Sequence, residues 1–185
     1  MAELIQTRGV ILGGARTPFG KLNGALASKT AVELGGVALA CAVERSGIAR
    51  SDVQNTIMGM VLHGGAGQNP ARQAGFLAGF DRTVPAETID RVCGSGMRAV
   101  TLADSLVRAG DFAVVAAGGM ESMSQAPYLV HGARSGLRMG DAAFADSMVH
   151  DGLMCAVAGC HMGIHGGAVA AEEKVGREEQ DAWAL

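Results

Sequence analysis

The chain has 185 residues and a formal net charge of −3, with no basic tract. That length suits one domain or a domain with an insertion, and the mild acidity argues against a nucleic-acid partner. Hydrophobic residues make up 49% of the chain but aromatics only 4%, so the core must be built from Ala, Val, Leu, Ile and ten Met.

The N-terminus has no basic stretch followed by a long apolar one, and no run approaches the ~20 apolar residues of a membrane span. The four cysteines, Cys41, Cys93, Cys155 and Cys160, are therefore expected to be free thiols in a reducing cytoplasm.

In chain order, Gly9-Val10-Ile11-Leu12-Gly13 reads as a buried strand, broken by Arg16-Thr17-Pro18-Phe19-Gly20. Thr30 and Glu33 form a capping box. The helix it opens puts Leu34, Val37, Ala38 and Cys41 on one face and ends at Gly47, which makes Cys41 a core residue. Residues 55–61 read as the second strand. A glycine-rich turn over 64–69 leads to Pro70, which suits a first helical position, and to a second helix over 71–77. The third strand covers 84–89 and the third helix 94–109, with Ala99, Leu102, Ala103, Leu106 and Val107 on one face and Gly110 as its stop. Residues 112–117 are the fourth strand, and their unbroken apolar run suits a sheet covered on both faces.

The order β-α-β-α-β-α-β argues for an α/β layer with a largely parallel sheet and right-handed crossovers. From about Met120 the rhythm gives way to glycine, methionine and short polar stretches. Residues 1–119 thus read as an α/β domain and 120–185 as a separate loop domain, loop-like at 132–140 and with a short helix over 142–149.

Cys93 falls where the third strand turns into the third helix, at the strand end where ligands of such sheets gather. Unpaired N–H groups and the dipole at a helix start favour negative charge, here a thiolate and a bound oxyanion. Gly94 and Gly96 suit a sharp turn that a ligand approaches closely. The same features fit a small buried cysteine in a tight βα turn.

Val92-Cys93-Gly94-Ser95-Gly96-Met97-Arg98-Ala99 closely resembles the acyl-binding cysteine motif of thiolases, the acetyl-CoA C-acetyltransferases and 3-ketoacyl-CoA thiolases. Further blocks agree in order. Ala15-Arg16-Thr17-Pro18-Phe19-Gly20 resembles the family's first strand–loop block, and Gly67-Gln68-Asn69-Pro70-Ala71-Arg72-Gln73 the block before its second helix. Gly118-Gly119-Met120-Glu121-Ser122-Met123-Ser124-Gln125-Ala126-Pro127-Tyr128 resembles the entry to the loop domain. Asp151-Gly152-Leu153 with His161-Met162-Gly163 resembles a block that contacts the pantetheine arm of coenzyme A, and residues 177–185 resemble the start of a loop-domain helix. Two features depart from the pattern. Asp90 stands where the family commonly has asparagine, and the family pattern continues beyond Leu185 with a last strand and a second half that carries an asparagine, a histidine and a second cysteine of the active site.

The resemblance implies a thiolase-like layered α/β fold: an N-terminal half with a largely parallel sheet that lacks its last strand, plus a truncated loop domain. It implies an acyltransferase that moves an acetyl or acyl group between coenzyme A and acyl-CoA, in 3-ketoacyl-CoA thiolysis or acetoacetyl-CoA formation within fatty acid metabolism. Cys93 would carry the acyl group as a thioester, and Leu153, His161 and Met162 would bind coenzyme A. Coenzyme A thioesters are then substrates, and no other cofactor and no metal is expected. The implied partners are acyl-CoA and coenzyme A, a C-terminal thiolase half, and further copies in a dimer or tetramer. The chain alone is expected to be inactive.

Two alternatives stand beside this reading. One is a non-catalytic fragment, or a subunit that needs a separate C-terminal half. The other is a related condensing enzyme, such as a ketoacyl synthase or a hydroxymethylglutaryl-CoA synthase; the 118–128 and 161–162 blocks favour thiolase over these. The series Cys155, Cys160, His161, His165 departs from paired zinc-ligand spacing. Gly94-Ser95-Gly96 lacks the third glycine of a dinucleotide fingerprint. Met120, Met123, Met139, Met148, Met154 and Met162 also fit gap-filling core positions, and His63, His131 and His150 suit exposed loops.

Overall fold

A computed structural model describes residues 9–185, which form two compact units divided between Tyr128 and Leu129. No helix among the described residues is long and apolar enough to cross a membrane.

The first unit is an α/β layer. Its helices are α1 (Ala31–Ser46), α2 (Pro70–Leu77) and α3 (Ser95–Ala109), and its strands are β1 (Asn55–Gly59), β2 (Ala86–Ile89) and β3 (Val115–Gly119). The three strands are parallel in the order β2-β1-β3, with Gly59 opposite both Ile89 and Gly119. The chain steps to one side of β1 and then across to the other. Right-handed crossovers in opposite directions put α2 and α3 on opposite faces. The packing agrees with this. Met58 and Met60 lie in a cluster with residues of α1 and α2, while Ile57 packs with Ala99 and Ala103 of α3. Every residue of β1 is buried, whereas β2 and β3 at the edges are mostly half-covered.

The helix ends follow the expected chemistry. Thr30 Oγ1 accepts the Glu33 N–H at 3.1 Å, and Glu33 Oε2 accepts the Thr30 N–H at 2.8 Å, so two orphan donors of α1 are satisfied reciprocally. Gly47 and Gly110 end α1 and α3 in the left-handed region. Asn69 caps α2 from φ +44, a region asparagine enters more readily than most residues. It also donates to the Ala86 C=O at 2.8 Å and accepts from Thr88 Oγ1 at 3.0 Å, so the start of α2 is tied to β2.

Several expectations are corrected. Gly9 to Gly13 forms no strand: Val10 is 76% exposed and Ile11 85%. The segment lies instead against helices. A Cβ on Gly9 would meet the Asp104 side chain, and one on Gly13 would sit 2.9 Å from both the Ala42 C=O and the Ser46 N. The last strand of the layer begins at Val115, not at 112, because Gln54 Oε1 takes the amides of Ala113 and Val114 at 2.6 and 3.4 Å. The buried face of α1 is Val32, Gly35, Gly36, Leu39 and Val43; Val37 is exposed and Cys41 only half-buried. Glycine makes that face. A Cβ on Gly35 would meet Met120 Sδ, and one on Gly36 would lie 2.6 Å from Leu77 Cβ, so large apolar side chains were a poor guide.

The second unit has less core. A two-stranded sheet of β4 (Tyr128–Leu129), which falls on the division, and β5 (Ala145–Asp146) precedes a π-helical stretch, Met148–Leu153, α4 (Met162–Glu172) and α5 (Arg177–Ala184). The expected helix over 142–149 is therefore a short strand running into a π-helix. Of the methionines expected to fill core, Met120 is buried, while Met123, Met139 and Met162 are exposed.

Candidate active site

The edge strands β2 and β3 are followed closely by acidic residues, Asp90 and Glu121. After β2 the chain makes one tight turn before α3, and Cys93 sits there, exposed. Two short polar side chains build the turn. Asp90 Oδ1 accepts the Val92 N–H at 2.7 Å. Val92 is held at φ +49, a conformation that a β-branched residue adopts only where its surroundings over-determine it. Ser95, the first residue of α3 and 3% exposed, accepts the Arg91 N–H at 2.7 Å and donates to the Val92 C=O at 2.6 Å. Backbone bonds from Gly94 to Arg91 and from Ser95 to Val92, both 3.1 Å, close the turn. An asparagine at position 90 would offer the same oxygen to Val92, so Asp90 preserves the turn and changes only its charge.

The glycines divide into two kinds. Gly94 has φ −84, and a Cβ there would meet only the Arg91 C=O, at 3.3 Å. Any residue fits that backbone, and the site stays open to an incoming group. Gly96 instead lies on the sheet: a Cβ on Gly119 would be 3.0 Å from Gly96 Cα, and one on Gly59 would be 2.3 Å from the Ser95 carbonyl carbon. The first turn of α3 therefore rests directly on the backbone of β1 and β3, which fixes the height of the cysteine turn above the sheet.

Glu121 follows β3. Its carboxylate accepts the N–H of Val61 at 2.8 Å and of Leu62 at 3.4 Å, which join the exits of β3 and β1 and end the β1 ladder at Gly59. Burial from water raises its carboxyl above the ordinary 4.5, against the lowering by those amides and His63, and Asp90 adds repulsion. The sign follows from linkage. A folded-state value above the unfolded one means the folded protein holds the extra proton, so its contribution is complete below about 4.5 and is lost as pH rises through the higher folded value. The melting temperature of wild type is expected to fall across that window relative to Glu121→Gln. Parallel thermal-melt profiles for the two proteins would show that the carboxyl is not perturbed by folding.

The second unit holds the other three expected site residues. Leu153 ends the π-helical stretch and is half-buried. A four-residue loop then turns the chain back, and Met154 pairs with His161 in an antiparallel bridge. His161 is the N-cap of α4: its Nδ1 accepts the Gly163 N–H at 3.0 Å, which puts the proton of the neutral ring on Nε2. Met162 is the exposed first residue of that helix. One turn thus brings Leu153, His161 and Met162 together, whereas Cys93 belongs to the first unit.

Asp90, Ser95 and Glu121 hold the backbone of this candidate site, a part that the sequence blocks containing them did not assign. The available signal is positional: short polar or acidic side chains directly after apolar, β-favouring runs, where α/β sheets gather ligands.

Over residues 9–185 the chain matches the family model described as thiolase, N-terminal domain. It is 49% identical over 176 residues to an acetyl-CoA acetyltransferase of Cupriavidus necator, covering 95% of this chain and 45% of that protein. An acetyl-CoA acetyltransferase of Chromobacterium violaceum is 49% identical over 175 residues, with the same coverage of both proteins. One from Escherichia coli is 48% identical over 177 residues, again covering 95% of this chain and 45% of its own length. The chain spans about half the length of the curated relatives it matches. The sequence blocks, the parallel layer with its cysteine turn, and these matches agree: the chain belongs to the thiolase family, through its N-terminal domain.

Proposed function

We propose that the protein acts in thiolase-type acyl transfer, with Cys93 as the residue that carries the acyl group and coenzyme A thioesters as substrates. The observation that carries this reading is an exposed cysteine at the head of α3, in a turn whose strained backbone is held by Asp90 and Ser95. In the reaction, Cys93 Sγ attacks the carbonyl carbon of an acyl-CoA. The bond to the coenzyme A sulfur breaks, the departing sulfur takes a proton, and the acyl group remains on Cys93 as a thioester. An acceptor, the thiol of coenzyme A or the α-carbon of acetyl-CoA, then removes it. First-turn amides of α3 offer positive potential to the oxygen that becomes negative in attack. Leu153, His161 and Met162 contribute to binding the pantetheine arm in this reading, supported by their shared turn.

A proton shuttle is also needed. His63 is the only histidine among residues 9–128, and its Nε2 lies 2.6 Å from the Met60 C=O. By resemblance to the family, a C-terminal thiolase half supplies the shuttle. Homo-oligomeric assembly and a place in cytoplasmic fatty acid metabolism complete the reading, on family grounds.

Acetoacetyl-CoA thiolysis tests it. Residues 1–185 alone are expected to stay at background, and turnover should appear when a C-terminal half is supplied in the same or a second polypeptide. Robust turnover by residues 1–185 alone would mean that the base lies within this chain. No turnover in the completed protein would overturn the acyl-transfer reading.

A further inference from the structure

We infer that Cys155 and Cys160 form a reversible disulfide, making the turn before α4 a site of thiol oxidation. The geometry is that of a closed hairpin. Met154 pairs with His161 in antiparallel register, so Cys155 and Cys160 are the next pair inward. The Cys155 N–H donates to the Cys160 C=O at 2.8 Å, and the Gly159 N–H donates to the Cys155 C=O, also at 2.8 Å. Gly159 takes φ +65, the left-handed residue that such a loop needs to return on itself.

Residues facing each other in an antiparallel pair present their side chains on one face, with Cα atoms about 4.5–5.5 Å apart. That separation lies inside the roughly 4.4–6.8 Å span a disulfide bridges without backbone movement. Both thiols are free and half-buried, and the Ala158 N–H donates to Cys155 Sγ at 3.4 Å, which turns that sulfur over the loop. Cys41 and Cys93 lie in the first unit and have no such partner register.

A peroxide supplies the oxidant. One thiol attacks the peroxide oxygen and becomes a sulfenic acid with loss of water. The second sulfur attacks the first, the S–S bond forms, the S–O bond breaks and a second water leaves. Two thiols are oxidised by two electrons and the peroxide is reduced to water. The bond would fix the loop that Leu153 and His161 flank; any effect on coenzyme A binding rests on the acyl-transfer reading, but the bond itself does not.

The test is peptide mapping after hydrogen peroxide, blocking of free thiols with N-ethylmaleimide and tryptic digestion. No Lys or Arg separates the two cysteines, so both fall in the peptide of residues 139–174. That peptide is expected to lose two hydrogens, take no maleimide, and recover two maleimide sites after dithiothreitol. The same result is expected in Cys93→Ser, which removes the exposed rival thiol. In Cys155→Ser, Cys160 should stay open to maleimide. Retention of both maleimide sites at peroxide doses that oxidise Cys93, or cross-linking of either cysteine to Cys41 or Cys93, would overturn the inference. Neither outcome bears on whether Cys93 carries an acyl group.

Discussion

Cys93→Ser is expected to leave folding unchanged and to lower acyl transfer by at least about a thousandfold in the completed protein. The side chain is exposed, and the turn is held by Asp90, Ser95 and backbone bonds. A one-atom change there should therefore move stability by no more than about 0.5 kcal/mol. The chemistry changes much more. A thiolate is a far better nucleophile toward a thioester than a neutral hydroxyl at pH 7, and the sulfur conserves thioester energy in the intermediate. Two readings check this. Thermal melts of the variant and wild type should coincide. After incubation with acetyl-CoA, the wild-type tryptic peptide of residues 92–98 should carry the acetyl group and the variant peptide should not. A label on Cys41, Cys155 or Cys160 would remove Cys93 from the mechanism.

The rhythm of β1 and α3 was legible because burial there follows the spacing of apolar residues. The run around β1 and the amphipathic face of α3 carry Ile57, Met58, Ala99 and Ala103 into two clusters on opposite faces. The caps were legible because their chemistry is local: Thr30 with Glu33, and Gly47 and Gly110 in the left-handed region. The misreadings share a cause, since contacts made by glycine leave no hydrophobic signature. The face of α1 lies on Gly35 and Gly36, and Gly9 and Gly13 dock an apolar segment on helices, not into a sheet. Cys93 was found through its position at a strand-to-helix junction and through family resemblance. Its struts were not, because an Asp-to-amide bond and a buried serine at a first helical position depend on a backbone conformation that sequence does not display. In residues 129–185 the elements are short and little is buried, so periodicity had little to report.

The glycine at the end of β1 gives the second large effect, and its sign separates two views of the residue. If Gly59 were only a permissive strand residue, Gly59→Ala would stabilise the protein slightly by reducing unfolded-chain entropy. The contacts argue the opposite. An added Cβ would lie 2.3 Å from the Ser95 carbonyl carbon and 2.5 Å from the Gly96 nitrogen, both backbone atoms of the first turn of α3. The strand has nowhere to retreat, because Gly59 sits in register with both Ile89 and Gly119, and its C=O accepts the Met120 N–H at 2.9 Å. The helix must lift instead, carrying Ser95 away from Arg91 and Val92 and loosening the turn that presents Cys93. Gly59→Ala is therefore expected to lower stability by about 3 kcal/mol, the upper range for an overpacked core. The rate at which iodoacetamide alkylates Cys93 should change with it. Gly94→Ala is the control. Its added Cβ meets only the Arg91 C=O, at 3.3 Å, so its denaturant midpoint should stay close to wild type. Equal midpoints for Gly59→Ala and wild type would show that α3 does not rest on the sheet through these atoms.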